Sequence, residues 1–184
     1  MSTLEEKFYK AEDIILKRSF RSKSGFDDPC YIFDYDPAQE LYVRDRIEFL
    51  VKKGKAADLN IIEFDLYDII IQIFKDNDIL EMNFKLEKKG GLDRVTQAVT
   101  RMLSDDPVVQ HIEEHSDNAD VVFLTGIGKC YPLFRAHNVL NKLDKIVNRI
   151  PVVMFYPGSF DGQYLKLFSK LTDDNHYRAF KLVD

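Results

Sequence analysis

Two apolar runs in the last third of the chain end in residues that a buried strand does not need. Val121-Val122-Phe123-Leu124 passes into Thr125-Gly126-Ile127-Gly128-Lys129-Cys130, and Val152-Val153-Met154-Phe155 passes into Tyr156-Pro157-Gly158. Such residues at a strand exit mark a loop with a role of its own. Glycines and a lysine ahead of a helix could hold a phosphate, because helix-start N–H groups attract anions and glycine permits close approach. The spacing does not complete a nucleotide motif. Phe123 stands where a Walker A loop has its first glycine, and Cys130 replaces the hydroxyl residue that would hold magnesium. Tyr131 occupies the place of the third Rossmann glycine, so a tight structural turn is the favoured reading.

Other constellations are weaker. His111-Ile112-Glu113-Glu114-His115 matches the H-x-x-E-H zinc pattern. A catalytic zinc needs a third protein ligand, yet His137 and His176 belong to other units, and a solvated helix end explains the pattern. His137 shares an apolar stripe with Leu133 and Leu140 and reads as a hydrogen-bonded core histidine. Arg135 could reach an anion or pair with Asp36 or Asp65, the ion pair being favoured. Asp34, Asp36 and Glu40 hint at a hard-metal cluster, but no glycine follows at EF-hand spacing, and helix capping explains Asp36. Ser159, His176 and Asp161 make a triad on paper without the G-x-S-x-G elbow. Near the C-terminus, Tyr177 and Arg178 are of the types that anchor protein interfaces. The neighbouring Asp173 and Asp174 would repel phosphate, which favours a protein partner over nucleic acid there.

These residues sit in a chain of 184 residues, 45% hydrophobic and 31% charged, as expected of one soluble globular domain. The expected organisation is a single α/β domain over residues 1–184, with an N-terminal helix and basic loop in residues 1–25. No apolar run reaches the roughly 20 residues of a membrane span, and the N-terminus lacks an apolar signal core. A cytoplasmic location is therefore expected, with Cys30 and Cys130 as reduced thiols. The net charge of −5 argues against nucleic acid as the sole partner.

The elements that must position the candidates follow from periodicity. Tyr31–Tyr35, Leu59–Phe64, Val121–Leu124 and Val152–Phe155 read as strands, with a last strand over Tyr177–Val183. Helices are expected over the opening residues and over Ala38–Lys53, ended by Gly54. A helix capped by Asp65 should run to Phe74, and two more flank a break at Gly90-Gly91. Another should start at Pro107 behind Asp106 and run to about His115. Helices are also expected from Pro132 to Val147 and from Phe160 or Asp161 to Leu171. Strands alternating with helices predict a three-layer α/β fold, Rossmann-like, with a mostly parallel sheet of about five strands flanked by helices. Phe33, Ile62, Phe123 and Val153 should lie in the sheet interior. Ligands of open α/β sheets bind beyond the carboxyl ends of the strands. That rule gathers Asp36, Asp65, Thr125, Gly126, Gly128, Arg135, Tyr156 and Gly158 as a partner or ligand crevice, with no catalytic residue, metal or cofactor expected.

One resemblance covers most of the chain. Tyr31-Ile-Phe-Asp-Tyr-Asp-Pro37, Glu40-Leu-Tyr-Val-Arg44 and Glu63-Phe-Asp-Leu-Tyr67 carry its first half. Val122-Phe-Leu-Thr-Gly-Ile-Gly128, Arg135-Ala-His-Asn-Val-Leu-Asn141, Phe155-Tyr-Pro-Gly158, Asp161-Gly162 and Asp174-Asn-His-Tyr-Arg-Ala-Phe180 carry its second. In this order and spacing the chain resembles the BrxB family of the BREX bacteriophage-exclusion systems. The resemblance implies a small component of a phage-defence locus that also encodes a large ATPase, a DNA methyltransferase and a phosphatase-like protein. It implies a non-enzymatic adaptor role, with the phosphatase-like PglZ as first-choice partner and the BREX ATPase as second. The rival expectation is a degenerate nucleotide- or nucleic-acid-binding module using Gly126, Gly128, Lys129 and Arg135.

Overall fold

Short apolar segments set the strands, and the polar residue after each one sets where it stops. The computed structural model describes residues 3–21, 30–142, 150–172 and 179–183. Helix α1 (Leu4–Ile15) opens with a capping box in which the Thr3 and Glu6 side chains serve each other's backbone N–H groups. A single helical turn, α2 (Arg18–Arg21), buries Phe20. Strand β1 (Cys30–Tyr35) ends at Asp36, whose carboxylate accepts from the Ala38 N–H and starts a 3-10 turn at Pro37–Gln39. Helix α3 (Glu40–Ala56) then buries Val43, Ile47 and Leu50.

Strand β2 (Ile61–Asp65) hands over to α4 (Leu66–Asp76) through the expected Asp65 cap. Gly54, expected to end α3, lies inside it. A Cβ there would come within 2.6 Å of Ile61 Cδ1, so the glycine lets the helix lie close to β2. Helix α5 (Leu80–Met102) is broken where expected, at Gly91, with φ 72°. After a 3-10 turn at Leu103–Asp105, helix α6 (Pro107–His115) begins at its proline. Asp106 makes no side-chain cap, since its backbone is left-handed and its carboxylate instead pairs with Lys142.

Strand β3 (Val121–Thr125) leads into the short helices α7 (Ile127–Cys130) and α8 (Ala136–Leu140). The expected long helix from Pro132 is thus replaced up to residue 142 by a turn and a short helix, and its remainder lies outside the described residues. Strand β4 (Val152–Phe160) runs on where a helix was expected; β5 (Leu165–Leu167) folds back antiparallel to it, and β6 (Leu171–Thr172) pairs antiparallel with β5. Three hydrogen bonds and a burial pattern explain the difference. The Phe160 N–H donates to Asp34, the Asp161 carboxylate accepts from Gln163 and Tyr164, and Leu165 and Leu167 are buried around an exposed Lys166, a period of two. Of the expected last strand, residues 179–183 are described, and within them only Phe180–Lys181 is strand, β7.

The central sheet has the order β2-β3-β4-β1-β7, all parallel, with β3 in its interior. Phe33, Phe123 and Val153 are fully buried. Ile62 is only half-buried, because β2 is an edge strand. Helices α4 to α8 cover one face, so the helix-rich middle of the chain forms one thick layer. The first three helices and Leu182-Val183 cover the other. Among the described residues no helix is long and apolar enough to cross a membrane.

On the second face Phe155 contacts Phe33 and Phe123, ring centroids 5.3 and 5.1 Å apart, and Phe8 lies 6.4 Å away. Edge-to-face and tilted rings of this kind add to the area they bury. Phe155→Ala should lower unfolding free energy by about 3–5 kcal/mol in urea titrations, and Phe155→Leu by clearly less.

Candidate functional site

Asp65 is the junction of the strand-end site. It closes β2, and its Oδ1 accepts from the Tyr67 and Asp68 N–H groups at 3.0 and 3.3 Å, satisfying the first turn of α4. Its Oδ2 accepts from the Lys129 ammonium, which also lies 3.9 Å from Asp68 and 5.6 Å from the centre of the Tyr67 ring. Gly126 follows β3 with φ +75°, and a Cβ there would meet Asp65 Oδ1 at 2.2 Å. The glycine therefore makes room for a carboxylate of the protein itself, the opposite of a phosphate cradle. Two further glycines are likewise filled from within. A Cβ at Gly128 would press on Phe168 and Pro157, and one at Gly158 would meet the Lys166 carbonyl at 2.1 Å.

The hydroxyl of Thr125, a buried residue, donates to Glu63 at 2.8 Å. Partial burial raises the Glu63 carboxyl above its ordinary range, as do Asp65 and Asp68, against the lowering effects of Thr125 and Lys129. The Cys130 Sγ–H donates to the Gly126 carbonyl at 3.3 Å, and burial followed by the Asp65 charge pushes the thiol up to about 12. A thiol held this far from ionisation is not a nucleophile at neutral pH. Lysine, hydroxyl and thiol are thus all engaged inside the protein, and an arriving anion would face three carboxylates.

Beside these carboxylates a groove of about 550 Å³ runs past Phe64, Ile69 and Gln72 to His111 and His115. The two imidazoles stack with centroids 4.3 Å apart, and His111 meets Phe64 edge-on at 6.5 Å. His115 Nδ1 lies 2.8 Å from the His111 carbonyl. Among the described residues no group of three or more His, Cys, Asp or Glu side chains is placed to hold a metal. Burial first, then His115, keeps His111 below the usual imidazole range, partly offset by Glu114 and Asp76.

The predicted crevice residues are distributed unevenly. Asp65, Thr125 and Gly126 meet at the ends of β2 and β3, while Gly128 and Gly158 lie under Phe168 and the fold-back of β5. Asp36 caps the turn after β1, three strands from β2, or about 14 Å. Asp34 bonds Lys7 and the Phe160 N–H. Arg135 begins α8 with its guanidinium 5.7 Å from the Tyr131 ring, and no described ion pair joins it to Asp36 or Asp65. Tyr156 is 3% exposed, in the core under α4 to α8. Tyr177 and Arg178 lie outside the described residues, as does His176. Glu63 and Asp68 were missed from the sequence. Period two along β2 puts Glu63 on the face of Asp65, and Asp68 occupies the first turn of the helix Asp65 caps.

Fold and site together define a three-layer, mostly parallel α/β protein with an acidic strand-end site closed by its own ion pair and hydrogen bonds. Residues 62–182 match the family described as "BREX protein BrxB". A BREX protein BrxB of Bacillus cereus (strain H3081.97) is 40% identical over 191 residues, covering 100% of both chains. One of Escherichia coli O9:H4 (strain HS) is 32% identical over 178 residues, covering 94% of this chain and 85% of that protein. The chain belongs to the BrxB family, components of BREX phage defence. No solved structure matches it.

Two measurements test the site. Asp65→Ala removes a helix cap and a lysine partner together and should cost about 1–2 kcal/mol of stability in denaturant titrations. Asp65→Asn, which still caps, should lose less than about 1 kcal/mol, since the pair is partly exposed. In NMR titrations His111 should show a midpoint below about 6.5, rising in His115→Gln. With the folded value depressed, this contribution to stability is complete above the unfolded value and is lost as pH falls from the unfolded value through the folded one.

Proposed function

We propose that this protein is a non-enzymatic adaptor of a BREX assembly in the cytoplasm, built as a single α/β domain. Its first-choice partner is the phosphatase-like PglZ, and its second is the large BREX ATPase. The observation that carries the reading is the mutual satisfaction of the strand-end groups. Lys129 is held by Asp65, the Thr125 hydroxyl by Glu63, and Cys130 is buried and neutral. A catalytic nucleophile needs a free approach and an activating base, and an anion site needs uncommitted donors. Membership of BrxB supplies the setting, and the partner choice rests on the make-up of a BREX locus.

Affinity purification of the tagged chain from cells expressing its own BREX locus should retain PglZ in stoichiometric amount. A thermal melt with ATP or ADP should show no shift, whereas ligand at 100 times its dissociation constant would add about 2.7 kcal/mol. Nucleotide stabilisation without a retained BREX protein would overturn the adaptor and support the nucleotide-binding module.

A further inference from the structure

We infer that the open edge of β2 is a strand-addition site for an extended, Lys/Arg-bearing segment of a partner protein. The inference deepens the adaptor reading and rests on it. β2 pairs with β3 on one side, and among the described residues no strand pairs with its other side. An uncovered edge presents alternate backbone N–H and C=O groups, which an extended chain can satisfy.

The groove described above lies along this edge. It takes Phe64 and Ile69 from the layer under α4 to α8, and Glu63 and Asp65 from alternate positions of β2, whose side chains point the other way. A groove lined from both faces of one strand wraps its edge, where an added strand would lie. Phe64 and Ile69 offer apolar contact for one set of alternate side chains. Glu63, Asp65 and Asp68 face the other set.

Charge selects the occupant. Lys129 balances Asp65, while Asp68 is 74% exposed in its side chain and only 3.9 Å from the same lysine. Glu63 has a hydroxyl rather than a cation as its hydrogen-bond partner. The edge thus carries a surplus of negative charge, which attracts lysine or arginine and repels acidic segments and nucleic-acid phosphates. A second copy of the chain is disfavoured on the same ground. Antiparallel pairing of two β2 edges would set the Glu63 and Asp65 carboxylates of one copy against those of the other, and like charges across a strand pair are destabilising.

The test has two arms. In hydrogen exchange, amides of residues 61–65 should slow in the complex purified with its BREX partner relative to the free chain. A complex in which these amides exchange as in the free chain overturns the inference and leaves the adaptor reading standing. In the second arm, isotope-labelled protein is titrated with a Val-Lys-Val-Lys-Val-Lys peptide and its Val-Glu counterpart. The lysine peptide should shift β2 resonances and the glutamate peptide should not. The double variant Glu63→Gln and Asp68→Asn keeps the acceptor for Thr125 and should bind the lysine peptide about tenfold more weakly. Equal response to both peptides, no response at millimolar concentration, or an unchanged affinity in the variant overturns the inference. Selective peptide binding with no BREX complex overturns the adaptor reading and leaves the edge site in place.

Discussion

A parallel sheet covered on both faces has nowhere inside it for polar chemistry. Phe33, Phe123, Val153 and Met154 are fully buried between two apolar layers, one built by α4 to α8 and the other by the first three helices. An unpaired polar group in either layer would cost about 1–3 kcal/mol. Charged and hydroxyl side chains are therefore driven to the strand ends and to the exposed edge. Three strand exits carry such residues: Asp36 caps the turn after β1, Asp65 ends β2 and caps α4, and Thr125 ends β3 with its hydroxyl on Glu63.

Because the exits of β2 and β3 lie side by side, their polar residues meet each other. Asp65 caps its own helix and binds Lys129 from the next βα unit, so one carboxylate fixes the relative position of two loops. Asp34, near the end of β1, likewise joins α1 through Lys7 to the end of β4 through the Phe160 N–H. The glycines complete the pattern. Gly126 and Gly158 are small because an oxygen of the protein already fills the space where a side chain would stand.

Local chemistry made much of this legible in advance. The strands were readable because their apolar runs are continuous, as burial on both faces requires. The Asp65 cap and the break at Gly91 follow from single residues with strong backbone preferences. The BrxB resemblance rested on the strand-exit residues and agrees with the family match. The reading failed where distant contacts decide. Phe160, Tyr164, Leu165, Phe168 and Leu171 have helical spacing, yet the segment is a strand fold-back anchored by Asp34 from far upstream. The Asp65–Lys129 pair and the groove beside β2, which reaches His111 and His115, join residues remote in sequence, so no local pattern announces them. Asp106 looked like a cap and serves as the partner of Lys142 instead.

The strand order also bears on how the chain reaches this structure. Cys30 is registered with Val152, Tyr31 with Phe180 and Ile61 with Val121, so each parallel pairing closes a long loop. Loop closure must be met before such contacts return any stability, which slows folding relative to structures built from local contacts. The helices close only short loops, so they are able to form first. β1 sits between β4 and β7 and therefore waits for the latest-made third of the polypeptide. Until then its apolar residues stay unpaired, and the nascent chain passes through a stage in which Ile32 and Phe33 are open to chaperones and to aggregation.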